Sequence, residues 1–418
     1  MNTKGYKVEV FMSFIGEDLF HFQASLIESG SSFEDFVREN YVNKWIGDTI
    51  YSAMAVRTTM VTAATNFLTN EGLFNLERIL MSPITDPLAH DVEHVPSIHY
   101  KGMPYVTTHS MIYHKFLACF NPKIKGIFVD SPNIRLEIES PQRKQRGKYL
   151  IDFSQIDIEV KRNRGITIDQ YKNDPEKVKT LLNEDIERAY DFFERMIVAM
   201  VSAIADKNED ELKALGVVLE VPGQPFPRFR NDEILKKYGK ARAEVMAGEE
   251  TNEQFFWVTG LMRENYDLIY PYILPDGTRL PISSFTSDMI YNYDICAKAR
   301  QRDTGKFMPA LEILSGAIRE WLYEPIIERL LDNKILTERP VFKDGNINNI
   351  EPLAGYSPFL AAAGMADSKG RPYFPETFGG GLGVERFLYS VLRGKAVEKI
   401  DDITCFGKNP DSYPIFLF

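Results

Sequence analysis

Phe378-Gly379-Gly380-Gly381-Leu382-Gly383-Val384-Glu385-Arg386, FGGGLGVER, is the stretch from which the rest of the chain can be read. Its glycines remove the side chains that would hold a ligand away from the main chain. Arg386 then opens an apolar run, Phe387, Leu388, Val391 and Leu392, at helical spacing. Glycine backbone with a fixed guanidinium beside it suits a polyanion. The stretch is not a P-loop, because no Gly-Lys-Ser/Thr closes it, and it lacks the dinucleotide spacing GxGxxG. Taken alone, the string also fits a tight turn ahead of a helix.

Upstream, two strand candidates carry charge on one face. In NIRLEIE, Arg135, Glu137 and Glu139 alternate with Ile134, Leu136 and Ile138. In DFSQIDIEV, Phe153, Gln155, Asp157 and Glu159 alternate with Ile156, Ile158 and Val160. The basic turn RKQRGK (143–148) lies between them. Acids and bases on a buried sheet face are costly unless paired or bound to ligand. An exposed face of an antiparallel sheet is the plain alternative. With the glycine stretch added, the set supplies two arginines, several carboxylates, an aromatic ring and a glycine floor. That set fits a nucleoside triphosphate with a magnesium ion.

The other segments frame this region. Ser31-Ser32-Phe33-Glu34 reads as a capping box before a long helical stretch with a break at Gly47 and a stop near Gly72. LFNLERILMSPITDP (73–87) reads as a strand ending at Pro83. Asp174-Pro175 starts an amphipathic helix, with Asp as the cap and Leu182, Ile186, Phe193, Ile197, Met200 and Ile204 on its apolar face. Residues 222–305 yield little beyond a helix near 232–247.

Composition bounds the function. The 418 residues suffice for a large core, and the net charge of −10 disfavours general nucleic-acid binding. No signal peptide and no run of about 18 apolar residues is read, so no membrane partner is expected. Three widely spaced cysteines point to a reducing cytoplasm and to neither a disulfide frame nor a zinc knuckle.

NIRLE with DFSQIDIE, then GGGLGVER, in that order and preceded by a helix and strand ending at Pro83, resemble the three signatures of the class II aminoacyl-tRNA synthetase catalytic domain. The tail IDDITCFGKNP (400–410) resembles the segment closing the aspartyl/asparaginyl branch, which includes the ammonia-dependent asparagine synthetase. The resemblance implies an α+β fold: an antiparallel β-sheet flanked by helices over residues 48–418, with an insertion within 222–305. Residues 1–47 would be a helical extension, and the first signature implies a homodimer.

The resemblance also implies roles. Arg135 would hold the α-phosphate of ATP, and Glu137 the adenine amino group or its loop. Phe153 and Arg386 would sandwich adenine, with Gly383 beneath. Arg146 or Lys148 would reach the γ-phosphate. Glu312, with Glu159, would bind Mg2+. Ser110, Lys115, Gln155, Asp157, Ser315, Arg319 and Gly381 would form the amino-acid pocket. Lys115 and Arg319 would clamp a side-chain carboxylate, favouring L-aspartate over asparagine. Ile112 stands where tRNA synthetases of the branch carry glutamine, a departure shared with the asparagine synthetase. Known synthetases of the branch also have an anticodon-binding barrel ahead of the catalytic domain, which is not read here. The expected reaction is therefore aspartyl-adenylate formation followed by amide formation with ammonia. Transfer to tRNA, to another amine or to a carrier remains an alternative, as does a non-catalytic paralogue.

His90-Asp91-Val92-Glu93-His94 matches the inverted zinc-protease motif HxxEH. The motif needs a helix, and Pro87 and Pro96 flank it, so a lid is expected there instead, with His90 or Glu93 near substrate. His109 and His114 are expected to be pocket or core histidines.

Overall fold

The structure, a computed structural model, describes residues 21–86, 96–136, 147–239, 243–262, 266–281, 284–344, 346–349, 356–368 and 371–409. The HxxEH stretch, Glu137, Glu139 and Arg146 lie outside the described residues.

The main sheet has eight strands: β1 (Phe74–Asn75), β2 (Gly126–Ile134), β3 (Asp152–Lys161), β4 (Arg228–Arg230), β5 (Phe255–Thr259), β6 (Asn292–Ala297), β7 (Leu311–Ile318) and β8 (Thr377–Gly383). Their spatial order is β1-β2-β3-β8-β7-β6-β5-β4. Only the outer pairs, β1 with β2 and β4 with β5, are parallel, and the pairs between them are antiparallel. This is the α+β arrangement expected. Segment 222–305 supplies β4, β5 and β6, so a large part of it is integral to the sheet.

Helices α1 (Asp48–Asn70), α2 (Ile112–Ala118), α3 (Pro175–Lys207), α4 (Tyr323–Asp332) and α5 (Val384–Leu392) surround the sheet. Helix α3 starts at Pro175 as its sequence predicts, although the Asp174 side chain makes no capping hydrogen bond. Its buried stripe of Leu182, Phe193, Ile197, Met200 and Ile204 joins Ile156, Ile158 and Val160 of β3 in one core. Glycine at 380 permits that contact, since a Cβ there would lie 3.2 Å from the Phe193 ring.

Two local expectations shift. The cap at the start of the first helical stretch is Ser32, whose hydroxyl accepts from the Asp35 N–H, one residue later than the Ser31–Glu34 box. The strand expected before Pro83 is split because the chain changes partner: Phe74–Asn75 pairs with β2, and Met81–Ser82 pairs with Met103–Thr107 in a three-stranded sheet.

The tail segment folds back on the start of β3. The Ile151 N–H donates to the Lys408 carbonyl at 2.9 Å, and Lys408 Nζ reaches Asp152 Oδ2 at 2.7 Å. All three cysteines are free, and Cys119 and Cys296 are buried.

Candidate active site

The glycines of FGGGLGVER form β8; they are not a turn. The register sets Gly379 opposite Glu159, Gly381 opposite Asp157 and Gly383 opposite Gln155. On the other side of β8, Gly381 faces Ser315 and Gly379 faces Ala317. Cross-strand partners project to the same face of a sheet, so the glycines make room for the acids of β3. A Cβ on Gly379 would stand 2.1 Å from Glu159 Oε2, and one on Gly381 would stand 3.1 Å from Asp157 Oδ1.

Over this face lies a half-open cleft of about 1130 Å3, solvent at its mouth included, and it joins segments far apart in the chain. Arg135, Asp157, Glu312, Arg319 and Arg386 all line it, as do Ser110, Lys115, Lys148, Phe153, Gln155, Ser315, Gly381 and Gly383. Of the described residues expected in the site, Glu159 alone is not in the lining.

One end of the cleft is planar and cationic. Arg135, just past β2, lies over the Phe153 ring with 5.0 Å from Cζ to the ring centre, and donates to the His109 carbonyl through Nε and Nη2 at 3.1 and 3.0 Å. Arg386, in the first turn of α5, lies 5.6 Å over the Tyr149 ring, and its Nη1 is 3.3 Å from Glu312 Oε1. Lys148 Nζ lies 5.3 Å from the centre of the same Tyr149 ring. Glu385, next to Arg386, accepts from the Ser154 N–H at 2.9 Å. Burial lifts its carboxyl above the usual range, opposed by that N–H and by Arg57.

The other end is a buried ionic network. Lys115 Nζ is 2.9 Å from Asp157 Oδ1 and 3.9 Å from Glu159 Oε2. Arg319 contacts Glu159 Oε1 at 3.4 Å and Asp267 Oδ1 at 3.1 Å, with the Tyr266 ring 5.3 Å from its Cζ. Thr377 donates to Glu159 at 2.6 Å, and Asn292 donates to Asp267 at 2.9 Å. Burial works against the Arg319 charge, but Glu159 and Asp267 outweigh it and hold its pKa above the ordinary arginine value. Asp86 binds the Ser110 hydroxyl at 2.8 Å and the Tyr266 hydroxyl at 2.9 Å. Asp157 Oδ2 is buried with no hydrogen-bond partner.

The geometry corrects one expectation. Glu159 is fully buried beneath Gly379 and is a counter-ion of Arg319, so it is not open to a phosphate-bound metal. Lys115 and Arg319 line the cleft with acidic partners beside them, Asp157 and Glu159 for the lysine, Glu159 and Asp267 for the arginine. His109 and His114 do not line the cleft; His114 Nε2 meets Ser82 Oγ at 3.2 Å, and burial lowers its pKa.

Sequence reasoning missed Asp86, Tyr149, Tyr266 and Asp267. Asp267 forms an isolated antiparallel bridge with Arg319 but sits in a stretch without periodic pattern. Glu385 was legible as Arg386's neighbour, although no role was attached to it.

No family model matches the sequence. The chain is 30% identical over 162 residues to the aspartate–tRNA(Asp) ligase of Pyrococcus furiosus, covering 37% of this chain and 34% of that one. It is 29% identical over 159 residues to the asparagine–tRNA ligase of Thermoplasma acidophilum, covering 35% of this chain and 33% of that one. The matches thus span about a third of these relatives' length. Among solved structures, the asparaginyl-tRNA synthetase of Pyrococcus horikoshii complexed with asparaginyl-adenylate superposes with a TM-score of 0.60 at 17% identity, over 87% of this chain and 69% of that one. The aspartyl-tRNA synthetase of Entamoeba histolytica gives 0.53 at 16% identity, over 87% and 59%.

The fold is that of a class II aminoacyl-tRNA synthetase catalytic domain. In sequence the chain is similar, over about a third of its length, to aspartate and asparagine tRNA ligases.

Proposed function

We propose that the protein activates L-aspartate with ATP, forming aspartyl-adenylate and pyrophosphate, and that ammonia then displaces AMP to give asparagine. The observation carrying this reading is one cleft with a planar cationic end, Arg135–Phe153 and Arg386–Glu312, joined to a buried amino-acid-sized end at Lys115, Asp157 and Arg319.

In this reading a substrate carboxylate oxygen attacks the α-phosphorus as the bond to pyrophosphate breaks. Catalysis is mainly positioning and charge neutralisation. Arg135 neutralises the α-phosphate, and Phe153 and Arg386 take the two faces of adenine. Lys148 is within the same cleft for the outer phosphates. Asp157 and Gln155, both in the cleft lining, orient the substrate ammonium. Glu312, the carboxylate on the cleft wall beside Arg386, would hold a divalent cation, and Mg2+ would supply further neutralisation of the phosphates. The buried Lys115–Asp157 and Arg319–Asp267 pairs orient the side-chain end.

Ammonia as the acceptor is supported by the sequence resemblance, in which Ile112, a lining residue of the cleft, stands where tRNA synthetases of the branch usually carry glutamine. Transfer to tRNA is the second reading, favoured by the relatives, which are tRNA ligases. The homodimer belongs to the same proposal. It is supported by the exposed apolar Phe74, Met81, Ile98, Tyr100 and Met103, on β1 and the adjoining three-stranded sheet.

Aspartate-dependent ATP–pyrophosphate exchange tests the first half-reaction. Mass spectrometry after incubation with ATP, Mg2+, aspartate and ammonium identifies the product. Asparagine formed without RNA supports the first reading, whereas label transferred only to tRNA selects the second.

A further inference from the structure

Behind the amino-acid end of the cleft lies a second, small cavity. It is lined by Tyr113, Phe116, Tyr266, Glu320, Ile326, Leu330 and Phe359, with room of about 10 Å3 for the centre of a water-sized molecule. That is about the least space one water molecule needs. Tyr266 is common to both cavities. The partition is built from sequence neighbours: Lys115 and Arg319 line the cleft, while Phe116 and Glu320 line the cavity behind.

Glu320 is the one carboxylate in this lining, and it is 1% exposed. Its Oε1 accepts from the Trp321 and Leu322 N–H groups at 3.0 and 3.1 Å. Its Oε2 is buried without a hydrogen-bond partner. Four of the seven lining residues are aromatic, and aromatic faces attract cations. Two arginines lie near enough to favour the Glu320 charge, Arg162, which pairs with Asp185 at 2.9 Å, and Arg329, which donates to the Asp267 carbonyl.

We infer that this cavity holds one ammonium ion, bound by Glu320 Oε2 and enclosed by the rings of Tyr113, Phe116, Tyr266 and Phe359. A single carboxylate, aromatic walls and space for one small molecule select a compact monovalent cation and exclude methylated amines. Burial lifts the Glu320 carboxyl to about 7, against the pull of the Leu322 and Trp321 N–H groups, Arg329 and Arg162. A cation in the cavity would favour its ionised form. As a store of ammonium one residue away from Arg319, the site deepens the ammonia reading and rests on it for its purpose, but not for its existence.

The test is ion-specific stabilisation of the full chain, read as thermal midpoint in chloride salts at equal ionic strength. Ammonium should raise the midpoint above sodium, potassium, methylammonium and tetramethylammonium, and Glu320→Gln should remove the increment. Equal effects of ammonium and potassium, or of ammonium and tetramethylammonium, would overturn the assignment without need of the variant. In the synthetic reaction Glu320→Gln should raise the ammonium KM by about tenfold or more, with aspartate-dependent ATP–pyrophosphate exchange kept. An unchanged ammonium KM would also overturn it. Ammonium-specific stabilisation in an enzyme that makes no asparagine would leave the site standing and sink the ammonia reading alone.

Discussion

Gly379 lies directly opposite Glu159 across the β8–β3 pair, and a Cβ there would come within 2.1 Å of the Glu159 carboxylate. The glycine is what lets an acid occupy the centre of the sheet. Gly379→Ala should therefore strain the core by about 1–3 kcal/mol, the usual cost of overpacking, and should displace Arg319 with its counter-ion. Urea denaturation with exchange kinetics checks both effects. A variant as stable as the parent would mean that Glu159 does not lie where we describe it.

Arg319 is a structural residue as well as a wall of the pocket. Arg319→Met leaves Glu159 and Asp267 buried without their cation, a loss of about 3–5 kcal/mol for a broken buried pair. Adding Asp267→Asn should restore part of that loss. Equilibrium denaturation of the single and double variants measures the coupling, and strict additivity would argue against the network.

Arg386 behaves differently because its contact with Glu312 is partly solvated, with side chains 30% and 38% exposed. Arg386→Lys should change stability by less than about 0.5 kcal/mol. It should nevertheless lower exchange by about a hundredfold, because lysine lacks the planar fork and stacking face. Comparable losses of stability and exchange would make Arg386 a scaffold residue instead.

The Glu320 carboxyl rises from 4.5 to about 7 in the folded protein, chiefly through burial. The folded state then keeps a proton that the unfolded chain releases, so this group's contribution is fully present below about pH 4.5 and is lost as pH rises through about 7. In sodium buffers, Glu320→Gln should gain stability relative to the parent between those limits. Thermal midpoints across the range read the difference, and a flat difference would contradict the raised value.

The antiparallel sheet and most of the cleft were legible because they rest on local patterns. Alternation put Phe153, Gln155 and Asp157 on one face, and all three line the cleft. The glycine string was legible as unusual, but its purpose was not. Read alone, it suggests backbone open to a phosphate, whereas the register with β3 turns two of its glycines into space for Asp157 and Glu159. Asp267 stayed hidden because its partner, Arg319, is 52 positions away and no periodic pattern marks the bridge.

The Lys408 carbonyl is the acceptor for the N–H of Ile151, two positions ahead of Phe153. The tail therefore works as a latch on the strand that presents that ring. Trimming the chain before Lys408 should loosen the Phe153 ring, proposed to seat the purine, while leaving the carboxylate network under Gly379 in place, and the damage would appear in the KM for ATP before it reached the KM for the amino acid.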